Sequence, residues 1–247
     1  MGGHVGNPAR KSKRQASPGT CSLCNGTLSK ATMGKHLEGC IRRRVGGPQA
    51  AGSRKSPGKK VLHLVVEGHG LPEYWMHLQA RADAPLKALD DFLRDTWLEC
   101  CGHLSAFRIR GKTYELDALE ELLDDVDEEG QGPSLRMDVA LGEVLSPGLT
   151  FSHEYDFGTT TELKVKVVSA GDERQRGRSI RLLARNDPPA IACESCGKPA
   201  TQVCSQCIGD GGGWLCAGCG RTHECEEEMF LPVVNSPRVG MCGYTGA

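Results

Sequence analysis

CESCGKPATQVCSQCIGDGGGWLCAGCGRTHEC, residues 193–225, carries seven of the thirteen cysteines of this 247-residue chain, together with His223. Six of the seven fall into three Cys-x-x-Cys pairs: Cys193/Cys196, Cys204/Cys207 and Cys216/Cys219. Each pair offers two thiolates from one tight turn. A zinc ion takes four sulfur or imidazole donors in a tetrahedron. With His223 and Cys225 as the last pair, the stretch supplies eight donors, enough for two closed sites. Interleaved pairing puts Cys193, Cys196, Cys216 and Cys219 on one ion, and Cys204, Cys207, His223 and Cys225 on the other. Sequential pairing also fits the spacing, and Cys242 is a ninth candidate that could replace Cys225.

Two other chemistries use cysteines at this density. A disulfide scaffold belongs to small secreted domains, but the chain begins MGGHVGNPARKSKRQ, with no apolar signal core. A redox Cys-x-x-Cys sits beside a βαβ pattern, which is missing around these pairs. Reduced thiols and a cytoplasmic location are therefore expected. No apolar run approaches the ~20 residues of a membrane helix, so no membrane partner is expected.

The nominal net charge of −1 conceals an asymmetry. Residues 1–60 hold thirteen Lys and Arg against one acid, Glu38, while the remainder holds seventeen against thirty. A basic arm of this kind suits contact with nucleic acid or another polyanion. Residues 1–20 have almost nothing to bury and read as a disordered basic tail. CSLCNGTLSKATMGKHLEGC follows, a fourth Cys-x-x-Cys pair, Cys21/Cys24, with His36 and Cys40 spaced i, i+4 on one helix face. Leu23, Leu28, Met33, Leu37 and Ile41 can make a minimal core beneath them. The segment 21–41 thus reads as a ββα-type zinc finger whose last His is replaced by Cys. Residues 42–60 form a basic Gly/Ser/Pro linker that would tether the finger loosely.

Residues 61–187 read as an α+β domain with a mostly antiparallel sheet and one main helix, flanked by the small zinc-binding modules. Strands are expected at VLHLVVEG, at 74–82 with Tyr74, Met76, Leu78 and Ala80 on the apolar face, and at 105–110, 150–157, 161–169 and 179–185. The helix is expected over 84–98, with Leu86, Leu89, Phe92 or Leu93, and Trp97 inward. Residues 117–129 are acidic and admit a short helix. Asp138 can cap another that runs to Leu145. Residues 190–247 form the two-zinc module with its tail, which brings the expected zinc count to about three.

The strand–helix start from Val61 to Trp97, HLSAFRIRGKTYE from His103, and HEYDFG at 153–158 resemble the plasmid pRi-type ORF-three-like family. Its members are sometimes described as transposon-passenger or resolvase-like proteins. The resemblance covers roughly half of the chain and implies a compact α+β domain and a link to mobile elements, without a settled activity. The family continues after Asp-Phe-Gly with an acid, Ser and Trp, where this chain has Thr159, Thr160 and Thr161. The spacing of 193–225 is also similar to cross-braced B-box and MYND domains, which bind proteins.

The leading expectation is a non-enzymatic zinc protein that contacts nucleic acid through its N-terminal region and protein through its C-terminal module. No nucleophilic Ser with an Arg cluster is present for resolvase chemistry. One rival is a metal-dependent hydrolase or nuclease using Glu154 and Asp156 with His103 or His153. The other is a thiol-based sensor that releases zinc on oxidation. Cys100 and Cys101 read as a small buried hydrophobe and its neighbour. His63, His69 and His77 read as structural or exposed.

Overall fold

The computed structural model describes residues 16–45, 59–116, 134–173 and 177–246. Most of the tail expected at 1–20, most of the linker at 42–60 and the acidic stretch 117–129 lie outside these residues. The described chain runs β1 (Gly19–Cys21), β2 (Thr27–Leu28), α1 (Lys30–Val45), β3 (Lys59–Gly68), β4 (Leu71–Arg81) and α2 (Leu86–Leu93). It continues with β5 (Ser105–Ile109), β6 (Lys112–Glu115), β7 (Leu135–Arg136), α3 (Leu141–Val144), β8 (Thr150–Tyr155), β9 (Thr161–Glu173) and β10 (Ile180–Asn186). The C-terminal part adds β11 (Gln202–Cys204), β12 (Trp214–Leu215), α4 (Ala217–Gly220) and β13 (Phe230–Pro232).

This architecture corrects the expected fold class. Among the described residues strand outweighs helix, 38% to 21%. Among the described residues, ten strands join one mixed sheet in the order β2-β1-β10-β4-β3-β9-β8-β5-β6-β7. Its pairs are antiparallel except β6 with β7, which run parallel. Among the described residues there is no single main helix. The longest described helix is α1, and it belongs to the finger. α2 spans only eight residues before a π-helical turn, Arg94–Leu98, carries Trp97 and Leu98 inward. Asp138 does not cap α3, whose N-cap is Ala140. It pairs instead with Arg136 at 3.3 Å.

The sheet grows beyond the expected domain because the finger adds two strands to it. β1 lies antiparallel on β10, with Gly19 opposite Asn186 and Cys21 opposite Ala184. One face of the sheet packs Leu64, Val66, Met76, Leu78, Leu163, Val165 and Val167 against Leu86, Leu89, Leu93 and Trp97. Leu93, rather than Phe92, completes the helical stripe. The opposite face is also covered. Trp75 joins Met33 and Leu37 of α1 with Leu183 and Ala184 of β10 in a second core. β4 is therefore buried on both sides: Trp75, His77 and Gln79, which alternate with the expected apolar face, lie inside as well.

Trp75 ties these parts together. Its Nε1 donates to the Ser17 carbonyl at 2.9 Å, and its backbone N–H donates to Asn186 Oδ1 at 3.0 Å. A Cβ at Gly19 would stand 2.5 Å from the Trp75 ring and from the Arg185 carbonyl, so only glycine fits there. The C-terminal module docks on the same body: Val203 and Val239 enter the main core, and Ser236 Oγ donates to the Trp97 carbonyl at 2.6 Å.

Trp75→Ala opens a cavity in the second core. It is expected to lower the unfolding free energy by about 3–5 kcal/mol, read as a fall in the urea midpoint at fixed zinc concentration. A loss under about 1 kcal/mol would show that the finger's packing contributes little.

Candidate metal centres

The N-terminal tetrad is assembled by a turn and a helix. β1 ends at Cys21, and the turn closes with Cys21 N–H donating to the Gly26 carbonyl at 2.9 Å and Asn25 N–H to the Cys21 carbonyl at 2.8 Å. That turn presents Cys24 beside Cys21. His36 and Cys40 stand one turn apart on α1, as their i, i+4 spacing requires. Cys24 Sγ and Cys40 Sγ lie 3.3 and 3.2 Å from His36 Nε2. Arg43 Nη2 donates to Cys40 Sγ at 3.2 Å. The N–H of Gly26 leads in holding the Cys24 thiol down at about 7, while burial raises that of Cys21.

The eight C-terminal donors gather in the interleaved way. Cys193, Cys196, Cys216 and Cys219 form one group, and Cys204, Cys207, His223 and Cys225 the other. Cys242 joins neither. The crossing follows from the small sheet: β11 ends at Cys204, and its neighbour β12 runs directly into Cys216. Cys196 Sγ is 3.7 Å from Cys216 Sγ, and Cys207 Sγ is 3.4 Å from His223 Nε2 and 3.7 Å from Cys225 Sγ. Gly213, with φ of 84°, lets the loop pass where a Cβ would meet the Cys204 carbonyl and Cys207 Cβ at 3.0 Å. The N–H of Cys216 leads in lowering the Cys193 thiol to about 6. Burial opposes thiolate at Cys204, but the N–H of Cys207 and the His223 imidazole bring that thiol to about 7.

These distances suit one ion per tetrad. Zinc–sulfur bonds of about 2.3 Å and zinc–nitrogen bonds of about 2.0 Å put tetrahedral donors about 3.8 Å apart for S to S and about 3.5 Å for S to N. Disulfide bonding needs about 2.05 Å, and all thirteen cysteines are free. Within each tetrad all four donor atoms lie within 4.8 Å of one another. The donor sets, Cys₃His twice and Cys₄ once, are those zinc favours.

A fourth group was not anticipated. Cys100, Cys101 and His103, just after the π-helical turn, meet Cys242 of the tail. Cys100 is half-buried and Cys101 exposed, so the pair expected as a buried small hydrophobe and its neighbour is only partly buried. The visible signal was Cys-Cys-x-His, but its fourth member lies far along the chain.

The carboxylate pair of the hydrolase alternative does not assemble. Glu154 faces outward and pairs with Arg108 at 2.8 Å. Asp156, at φ of 65°, turns out of the strand line to meet Arg238 Nη2 at 2.7 Å and His103 Nε2 at 3.5 Å. His153 points into the core, where its Nε2 meets Asp90 Oδ1 at 2.7 Å. His63 and His77 contact each other at 2.9 Å, and burial lowers His77 to about 3. His69 pairs with Glu162. Among the described residues, no helix is long and apolar enough to cross a membrane.

The crossed pairing has a direct test. Cys196→Ser and Cys216→Ser empty the same centre, so either variant, and the double variant, is expected to lose a single zinc equivalent by elemental mass spectrometry. Sequential pairing would cost the double variant two.

No family model matches the chain, and no curated protein matches it. Among solved structures, a protein of unknown function from Methanosarcina mazei Go1 aligns with 16% identity and a TM-score of 0.43, over 57% of this chain and 76% of that one.

Proposed function

We propose that this chain is a non-enzymatic zinc protein, whose N-terminal tetrad and two C-terminal tetrads hold structural zinc and whose basic N-terminal region binds nucleic acid. One observation carries the structural role of the metal. Each of these tetrads already supplies four Cys or His donors, a closed set that leaves no coordination position for substrate or water. Zinc bound in this way adds its binding free energy to folding. The ligands of each centre come from different turns or elements, so each ion would link separate pieces of chain.

The nucleic-acid reading rests on charge. Residues 1–60 carry thirteen Lys and Arg against Glu38 alone, and Lys35, Arg42 and Arg43 are exposed on α1. Contact through phosphates would be strong at low salt and poor in sequence information. A single finger reads only ~3 base pairs. The C-terminal module is the part suited to a protein partner, and a link to mobile elements rests on the sequence resemblance alone.

Binding of the full chain to a short DNA or RNA duplex, followed by fluorescence anisotropy across a salt series, tests this reading. The double variant Lys35→Gln, Arg42→Gln keeps every metal ligand. It is expected to bind more weakly, with the salt slope shallower by about 0.9 for each lost DNA phosphate contact. An unchanged slope, or no binding by the parent protein, overturns the nucleic-acid reading while the zinc count stands.

A further inference from the structure

Cys100, Cys101, His103 and Cys242 converge from two distant parts of the chain. Cys101 Sγ lies 2.9 Å from His103 Nε2, 3.5 Å from Cys100 Sγ and 3.8 Å from Cys242 Sγ, and His103 Nε2 lies 3.1 Å from Cys242 Sγ. The sulfur–sulfur separations are close to the tetrahedral edge of about 3.8 Å for zinc and far beyond a disulfide bond of about 2.05 Å. We propose that these four residues form a fourth metal site, for zinc or a similarly soft divalent cation, which clasps the C-terminal tail to the body of the fold. The site goes beyond the three structural centres and does not depend on any partner.

The surroundings are built to hold this donor set. The amides of Cys100 and His103 both donate to the Tyr155 hydroxyl at 3.4 Å, and that hydroxyl donates to Glu99 Oε1 at 3.0 Å. Glu99 Oε1 also accepts the N–H of Gly102 at 2.6 Å, which closes the loop carrying three of the donors. The fully buried Arg238 donates from Nη2 to Cys100 Sγ at 3.4 Å and to Asp156 Oδ2 at 2.7 Å. Hydrogen bonds of this kind orient and tune metal ligands. Three thiolates and a neutral imidazole around a divalent ion leave one negative charge, and the Arg238 guanidinium is placed to meet it. Asp156 is already engaged by Arg238, so the three thiols and His103 remain as donors. Cys242 is held at φ of 45° and Asp156 at φ of 65°. Left-handed backbone at non-glycine residues persists where surrounding contacts over-determine it.

The tail is already seated near this point. Arg238 is buried, and Tyr244, two residues past Cys242, is buried as well. A metal at Cys242 would close the last gap between tail and body. The soft sulfur-rich set favours zinc over magnesium or calcium, which take oxygen ligands.

The test uses the full chain, purified with zinc. The parent protein is expected to hold four zinc equivalents by elemental mass spectrometry, and Cys242→Ser three. Native alkylation with iodoacetamide and peptide mapping gives a second readout that needs no variant. Cys101 and Cys242 are exposed, so free thiols there would label readily. Bound to metal, they are expected to stay unlabelled while zinc is present. Three equivalents in both proteins, or ready labelling of Cys101 and Cys242 in the zinc-replete parent, overturns the proposal. Mapping resolves each cysteine, so failure here leaves the other three centres to be judged on their own peptides.

Discussion

Burial of β4 on both faces is the constraint on which the rest of the structure depends. Its Met76 and Leu78 lie under α2 and the π-helical turn, while Trp75 lies under the finger. Without the finger, a tryptophan and the flanking apolar surface of β10 would face water. Without the sheet, Met33 and Leu37 of α1 would keep only the finger's own Leu23, Leu28 and Ile41 to pack against. The two parts share a core, and that core needs a glycine at position 19 because a Cβ there would collide with the Trp75 ring. Such mutual dependence turns a small finger and a sheet into one packed body, since close-packed interiors leave no slack for one half to move alone.

Metal bound at the tetrads would complement this core rather than replace it. Hydrophobic residues make up 38% of the chain and aromatic residues 5%, so packing has limited material. Cys21 and Cys40 belong both to a tetrad that could hold a metal ion and to the second core, so coordination there would be coupled directly to packing around Trp75. Acid should weaken all the tetrads together, because thiolates and neutral imidazoles must be deprotonated to bind and protons compete for them. Thiols already lowered by backbone N–H groups, Cys193 and Cys24 above all, keep their thiolates to lower pH than an ordinary cysteine.

The stretch HEYDFG shows how alternation and burial divide the roles of neighbours. His153 and Tyr155 point inward, and Glu154 points out to Arg108. The backbone then turns at Asp156, which meets the buried Arg238 of the tail. Burying a charged pair costs desolvation that only close, well-directed hydrogen bonds offset. Arg238 has them on several sides: Asp156, Thr161 Oγ1 and the Thr159 carbonyl. At the buried Asp90, burial opposes the carboxylate, but the hydrogen bond with His153 at 2.7 Å leads in holding its pKa below the usual range. These contacts seat the C-terminal segment and α2 on the sheet, and Glu154 and Asp156 belong to separate networks.

Local spacing made much of the chemistry legible. Cys-x-x-Cys pairs and an i, i+4 His/Cys pair need only one turn of backbone to bring two donors together, so the twelve donors of three tetrads can be named from the sequence. Leu163, Val165 and Val167 likewise recur with period two in the sequence and share the core face of β9. What spacing could not show was any contact set by distant chain. The finger's strand against β10, the burial of the outer face of β4, the interleaving of the C-terminal pairs and the meeting of Cys101 with Cys242 all join residues whose separation carries no periodic signal. The sequence by itself determined which side chains can bind metal and which segments extend or coil. Only the tertiary structure decided which segments share a core and which donors share an ion, because both depend on the path of the whole chain through space.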